Sequence, residues 1–282
     1  MASERLSRLL AALADLGSPL ALFAAVVPKD PARVVARGVA YGSGPRQTLD
    51  AYAPKAEVQG APVAIFLYGG SWDSGRRQDY GWAGRALAAQ GFLALVPDYR
   101  LFPDLYPSFL EDGAQAVRWV VDNAARLGGD PARVVLIGHS AGAYNAAMLA
   151  LDGRWLKAVG VDPAVVKAWA GLSGPYDFLP LDSPITKRTF GRIEDLPATQ
   201  PARYVRADAP PAFLASGDPD VTVKPRHTRR LGKALGEAGA RVEVRLYPGL
   251  GHAGPLLALS RPMRRKAPVL AEMAAFLKSA LA

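Results

Sequence analysis

The chain has 282 residues, 50% of them hydrophobic and 21% charged, a balance that supports a sizeable buried core and excludes disorder throughout. It has no cysteine, which excludes disulfides, thiolate catalysis and zinc-finger sites. The formal net charge is +9, yet the basic clusters at 224–230 and 261–266 are not interleaved with aromatics and match no nucleic-acid module. We read them as solvated surface and expect no nucleic-acid partner.

At the N-terminus, Arg5 and Arg8 precede an apolar stretch from Leu9 to Val27. Asp15 and the Gly17-Ser-Pro19 break interrupt it, whereas a spanning helix needs about 20 apolar residues in a row. Residues 1–36 are therefore expected to form a helical arm that packs on the domain. No stable membrane span follows, and a cytoplasmic location is expected, with membrane association or export through this apolar N-terminus as the alternative.

From residue 37 to 282 short apolar runs alternate with helical patterns, which predicts one domain. Gly38–Tyr41 and Thr48–Ala53 read as two opening strands joined by a Gly42-Ser-Gly-Pro45 turn. Buried strands follow at Val63–Tyr68, Leu93–Pro97, Arg133–Gly138, Ala168–Leu172, Ala212–Ser216 and Val242–Tyr247. Their continuous apolar character suits parallel strands covered on both faces. Helices are predicted over Asp79–Gln90, Glu111–Leu127, Ala141–Leu151, Arg226–Ala238 and Pro268–Leu281. The alternation predicts an α/β fold with a mostly parallel, eight-stranded sheet. Residues 174–211 break the rhythm and are rich in Pro, Asp and Arg, so they are expected to form a small lid or insertion.

Gly138-His-Ser-Ala-Gly142 has the G-x-S-x-G spacing of a nucleophile elbow, with a predicted strand entering it and a predicted helix leaving it. Small residues are needed because the turn is tight enough to strain the serine backbone. A serine hydroxyl needs a base to take its proton. His139 is adjacent to Ser140 and is expected to point away from it. His227 sits in a basic helix start, read as exposed. His252 lies in the glycine-rich loop Tyr247-Pro-Gly-Leu-Gly-His252 after the last strand, where it can fold back over the sheet edge, and is the expected base. An acid must orient that imidazole, and the loop after the preceding strand offers Asp218 and Asp220. Asp218 precedes Pro219, which favours an extended, turn-opening role and leaves Asp220 deeper in the loop. There is no H-E-x-x-H or P-loop pattern, and the three histidines are too scattered for a metal, so no metal and no cofactor are expected.

Gly69-Gly-Ser-Trp72, Pro97-Asp-Tyr-Arg-Leu101, Gly138–Gly142, Gly174-Pro-Tyr-Asp177, Gly217–Val223 and Gly251-His252 together carry a resemblance. From about residue 37 onward the chain resembles α/β-hydrolase carboxylesterases, of the bacterial hormone-sensitive-lipase-like and arylformamidase-like HGGxW kinds. The resemblance implies Ser140, Asp220 and His252 as catalytic residues, with Gly217, Asp220 and Val223 in the family register. It implies the N–H groups of Gly70, Ser71 and Ala141 as oxyanion donors. Tyr68 departs from the pattern, standing where the family has a loop histidine. Asp98-Tyr-Arg100 is expected to brace the oxyanion loop, and Trp72, Tyr144 and Tyr176 are candidate substrate-binding residues, with Phe178 beside them. The expected function is hydrolysis of short-chain carboxylic esters, small molecules, through an acyl-enzyme. An arylformamidase-type amide hydrolase is the near alternative, and an inactive hydrolase-fold binding protein the distant one.

Overall fold

The computed structural model describes residues 19–282, so the first half of the expected N-terminal arm lies outside the described residues. Helix α1 (Pro19–Val26) is the described part of that arm. It packs by Phe23, edge-on to Trp82 at 5.3 Å. Strand β1 (Ala32–Ala40) begins earlier than the sequence predicts, so residues 32–36 belong to the sheet and not to the arm. Its arginines, Arg33 and Arg37, disguise it as loop. On an edge strand they blunt unwanted pairing.

The other strands are β2 (Thr48–Pro54), β3 (Ala61–Leu67), β4 (Leu93–Pro97), β5 (Gly129–His139), β6 (Val166–Leu172), β7 (Ala212–Gly217) and β8 (Val242–Tyr247). They form one eight-stranded sheet in the order β1-β2-β4-β3-β5-β6-β7-β8. β2 pairs antiparallel with β1 and β4, and every pairing from β4 to β8 is parallel. Along β3 successive side chains alternate between faces. Ala64 and Phe66 join a core with α2 (Gly81–Ala89) and the C-terminal helix, while Val63, Ile65 and Leu67 join a second core with α3 (Ser108–Asn123) and α4 (Ala141–Leu151). Coverage on both sides explains why the parallel strands are apolar without alternation.

Helix α5 (Arg154–Ala158) follows α4 directly. Residues 174–211 fold into α6 (Pro184–Phe190) and two 3-10 turns, Leu196–Thr199 and Pro201–Tyr204. Ser183 starts α6 with a capping box to Thr186, and Phe190 buries its far end. Helices α7 (Arg226–Glu237), α8 (Gly254–Leu257) and α9 (Val269–Leu281) complete the chain. Among the described residues no helix is long and apolar enough to cross a membrane.

Candidate active site

The parallel register brings four loops to one edge. The loops after β3, β5, β7 and β8 leave the C-terminal ends of their strands, where open α/β sheets place their ligands. Ser140 follows β5 and opens α4 with φ 54° and ψ −122°, a left-handed backbone that a serine adopts only under constraint. The constraint is close packing. A Cβ on Gly138 would lie 2.1 Å from the carbonyl oxygen of Gly142, and one on Gly142 would lie 2.0 Å from that of Leu67. Ser140 N–H donates to Leu172 O at 2.8 Å, which ties the elbow to β6.

Ser140 Oγ lies 2.9 Å from His252 Nε2, and His252 Nδ1 lies 2.8 Å from Asp220 Oδ2. A carboxylate only accepts, so Nδ1 carries the proton and Nε2 is free to accept from the serine hydroxyl. Both oxygens of Asp220 are in use, since Oδ1 accepts from the N–H of Thr222 and of Val223, each at 2.9 Å. Burial alone would raise the Asp220 pKa. The hydrogen bonds from His252 and the Val223 and Thr222 N–H groups outweigh it and hold the carboxyl below its usual range. Asp218 does something else. Its Oδ1 accepts from Gly249 N–H at 2.8 Å, so it staples the acid loop to the histidine loop.

Gly249-Leu-Gly-His-Ala-Gly254 also has the G-x-G-x-x-G spacing of dinucleotide loops. Here it opens a helix of only 4 residues after the sheet's last strand, with no further strand, so the required β–α–β setting is missing.

The loop after β3 turns through positive φ at Gly70 (135°), Ser71 (56°) and Trp72 (57°). At Gly70 a Cβ would sit 2.1 Å from Ser74 O, so only glycine fits. The N–H groups of Gly70 and Ser71 have no acceptor among the described residues, and Ala141 N–H is one of the free donors at the start of α4. Trp72 pins the loop to α4 through Nε1–H to Asn145 Oδ1 at 3.1 Å, and stacks on Phe109.

Tyr68, where the resemblance implies a loop histidine, is firmly held. Its ring is sandwiched between Tyr80 at 5.0 Å and Tyr99 at 4.7 Å. Its hydroxyl donates to Asp98 Oδ1 at 2.7 Å and accepts from Arg46 Nη2 at 2.9 Å. Arg46 also donates to Gly75 O and Tyr99 O, and Arg77 bonds Asp98 and Asp50. Asp98 and Arg100 therefore do not pair with each other. Arg100 turns to Asp112 and Glu111. Arg46 and Arg77 are members of this foundation that the sequence reading misses, because neither lies near Asp98 in the chain.

His139 does not simply point away. It is 6% exposed, and its Nε2–H donates to the main-chain carbonyl of His252 at 3.1 Å, which leaves Nδ1 buried without a partner. Burial pushes its pKa down from 6.5 to about 3, so the ring stays neutral.

Beside Ser140 lies a cavity of about 360 Å³. Ser71, Trp72, Ser140, Ala141 and Phe178 are among the residues that line it. Two expected substrate-binding residues do not reach it. Tyr144 is fully buried behind Trp72, with its hydroxyl donating to Thr199 O at 2.7 Å. Every residue of α4 is buried, so an aromatic on it serves the core. Tyr176 is buried against Trp169 in the other core. Pro175, Phe178, Leu179, Pro180, Ser183 and Ile185 line the cavity instead, which puts part of the 174–211 segment in its wall. His227 is a correction as well. It is 6% exposed and lines the cavity, and burial, then Arg226, lowers its pKa. Its signal was present in the sequence, since His227, Leu231 and Leu235 recur every four residues on the buried face of α7.

A Ser-His-Asp arrangement at the C-terminal edge of this sheet defines the α/β-hydrolase fold. The family model BD-FAE matches residues 49–235, and the chain belongs to that family. It is 34% identical over 257 residues to the probable isoprenylcysteine alpha-carbonyl methylesterase ICMEL1 of Oryza sativa subsp. japonica, covering 82% of this chain and 59% of that protein. The chain thus spans about three-fifths of the length of that curated relative, 59%. It is 32% identical over 263 residues to the carboxylesterase NlhH of Mycobacterium tuberculosis, covering 83% of this chain and 79% of that one. The fold is similar to that of the Pyrobaculum calidifontis esterase, with a TM-score of 0.74 at 20% identity, over 99% of this chain and 94% of that one.

Proposed function

We propose that the protein is a serine carboxylesterase that cleaves short-chain esters through an acyl-enzyme. The observation that carries this reading is the unbroken hydrogen-bond chain from Ser140 Oγ through His252 to Asp220, at 2.9 and 2.8 Å. Ser140 Oγ attacks the ester carbonyl carbon as its proton passes to His252 Nε2. Asp220 accepts from Nδ1–H and stabilises the imidazolium that forms. The N–H groups of Gly70, Ser71 and Ala141 receive the oxyanion. The C–O bond then breaks as His252 returns its proton to the leaving alcohol, and water, activated by the same base, releases the acid.

The cavity of about 360 Å³ is at the small end of the ligand-pocket range of about 300–1,000 Å³. That supports short acyl groups over long ones. The name of the Oryza sativa relative adds a prenylcysteine methyl ester to the substrates worth testing. A cytoplasmic location fits the lack of cysteine. The test is a panel of p-nitrophenyl butyrate, p-nitrophenyl palmitate, a prenylcysteine methyl ester and N-formylkynurenine, run on the wild type and Ser140→Ala. We expect butyrate to be cleaved faster than palmitate, and Ser140→Ala to lose at least about 10⁴-fold in kcat. Near-normal turnover by folded Ser140→Ala rejects the mechanism, and a faster palmitate rejects the chain-length reading.

A further inference from the structure

One wall of the cavity supports Asp220 through the N–H groups of Thr222 and Val223, but its side chains have no task in the ester cleavage just described. Val221, Thr222, Val223, Lys224, Arg226 and His227 build it. His227 is nine-tenths buried, Nδ1 is cut off from water, and neither ring nitrogen has a hydrogen-bond partner among the described residues. A leucine would continue the buried stripe of Leu231 and Leu235 without leaving a polar group unsatisfied. Nδ1, closed to water, is closed to a ligand as well, so the unpartnered Nε2 is the nitrogen that a molecule entering the cavity can bond.

The charges on the same wall point to what that is. Lys224 and Arg226 are exposed, and neither pairs with a carboxylate among the described residues. Arg230, one turn further along α7, is by contrast paired with Asp177 at 3.5 Å. Asp182 is the one carboxylate that lines the cavity among the described residues. Two unpaired cations and a donor imidazole thus meet a single acid. The wall also includes the start of α7, a helix of 12 residues, whose positive dipole end favours an anion.

Resting on the esterase reading, we propose that this wall is a carboxylate-binding subsite, and that the preferred esters carry a free carboxylate away from the scissile carbonyl. His227 Nε2–H donates a hydrogen bond to that carboxylate, and Lys224 and Arg226 neutralise it at the mouth. They set specificity by touching a remote part of the substrate, while the bond-breaking groups are unchanged.

The probes are the monoethyl esters of succinate, glutarate and adipate, each paired with the neutral ester in which the free acid is a primary amide. Ester cleavage is followed by pH-stat titration. For at least one spacer the wild type is expected to favour the acid over its amide by about tenfold or more in kcat/KM, the scale of one charge-assisted hydrogen bond. His227→Leu and the double variant Lys224→Met/Arg226→Met should each bring that ratio towards one. His227→Gln, which keeps a donor, should retain part of it. Calorimetric binding of the same monoethyl esters and amides to Ser140→Ala reads the subsite without turnover. If Ser140-dependent cleavage of ethyl butyrate is absent, the esterase reading falls, and this binding ratio decides the subsite by itself. A ratio near one for all three spacers, both in wild-type turnover and in binding to Ser140→Ala, overturns the proposal. So does a preference that survives in folded His227→Leu and in the double variant.

Discussion

The oxyanion loop and the Val221–His227 wall border the same cavity but are held by opposite means. Under the loop, Tyr68 lies between two tyrosine rings, and its hydroxyl, Asp98, Arg46, Arg77 and Asp50 satisfy one another. Trp72 adds a hydrogen bond to α4. In the wall, Val221 is 85% exposed, Lys224 and Arg226 are unpaired among the described residues, and His227 keeps its nitrogens free. Under the proposed mechanism, the difference follows from what each must do. Donors that stabilise a developing charge work only if they are positioned in advance, so their support must be complete within the protein. A wall that selects substrates can leave its polar groups for the substrate to satisfy.

The largest expected effect tests the most completely satisfied group. Asp220→Asn replaces the acceptor of the imidazole proton and should lower kcat by about 10³–10⁴-fold, as loss of the correct tautomer does elsewhere. Asp218→Asn loosens only the staple to Gly249 and should cost less than about tenfold in kcat. Steady-state kinetics on both, with circular dichroism to verify folding, gives the ranking, and the reverse order would transfer the orienting role to Asp218.

A middle-sized effect separates loop from wall. Arg46→Met removes the donors to Tyr68 and Gly75, and should lower kcat by about 10–100-fold through a misplaced oxyanion loop. Tyr68→Phe should fall in the same direction by less, since both rings still sandwich it. Val221→Ala, on the wall, should leave kcat within about threefold and act on KM. Equal kcat losses at Arg46 and Val221 would break the comparison.

The smallest effect concerns pH. Unfolded, His139 takes up a proton near 6.5, whereas folded it resists protonation down to about 3. Between those values the unfolded chain binds the extra proton, so the stability from His139 is complete above pH 6.5 and is lost as pH falls towards 3. His139→Asn should therefore flatten the acid side of the Tm-against-pH curve. An unchanged slope would mean that His139 is not held neutral.

Much of this site was legible because its signals are local. The elbow is five residues between a strand and a helix, and the predicted span Ala141–Leu151 is the observed helix. The bond between His252 and Asp220, rather than Asp218, follows the register and the effect of Pro219. What stayed hidden depends on long-range packing. Arg46 reaches Tyr68 across 22 positions and Arg77 reaches Asp50 across 27. Residue type alone suggests pocket roles for Tyr144 and Tyr176, but which face of a fully buried helix or of a turn they occupy is decided by tertiary contacts. At His227 the flanking arginines suggest water, while the four-residue spacing to Leu231 and Leu235 speaks for the burial that the structure shows.

The central claim is that Ser140 is a nucleophile activated by His252. Its most direct test is covalent labelling with diethyl p-nitrophenyl phosphate, followed by intact mass and peptide mapping. The account predicts one diethylphosphoryl group per chain, located on Ser140, and a labelling rate that collapses in Asp220→Asn and His252→Ala but not in Asp218→Asn. Failure of the folded wild type to be labelled, or a stable adduct on another residue with Ser140 unmodified, would contradict it.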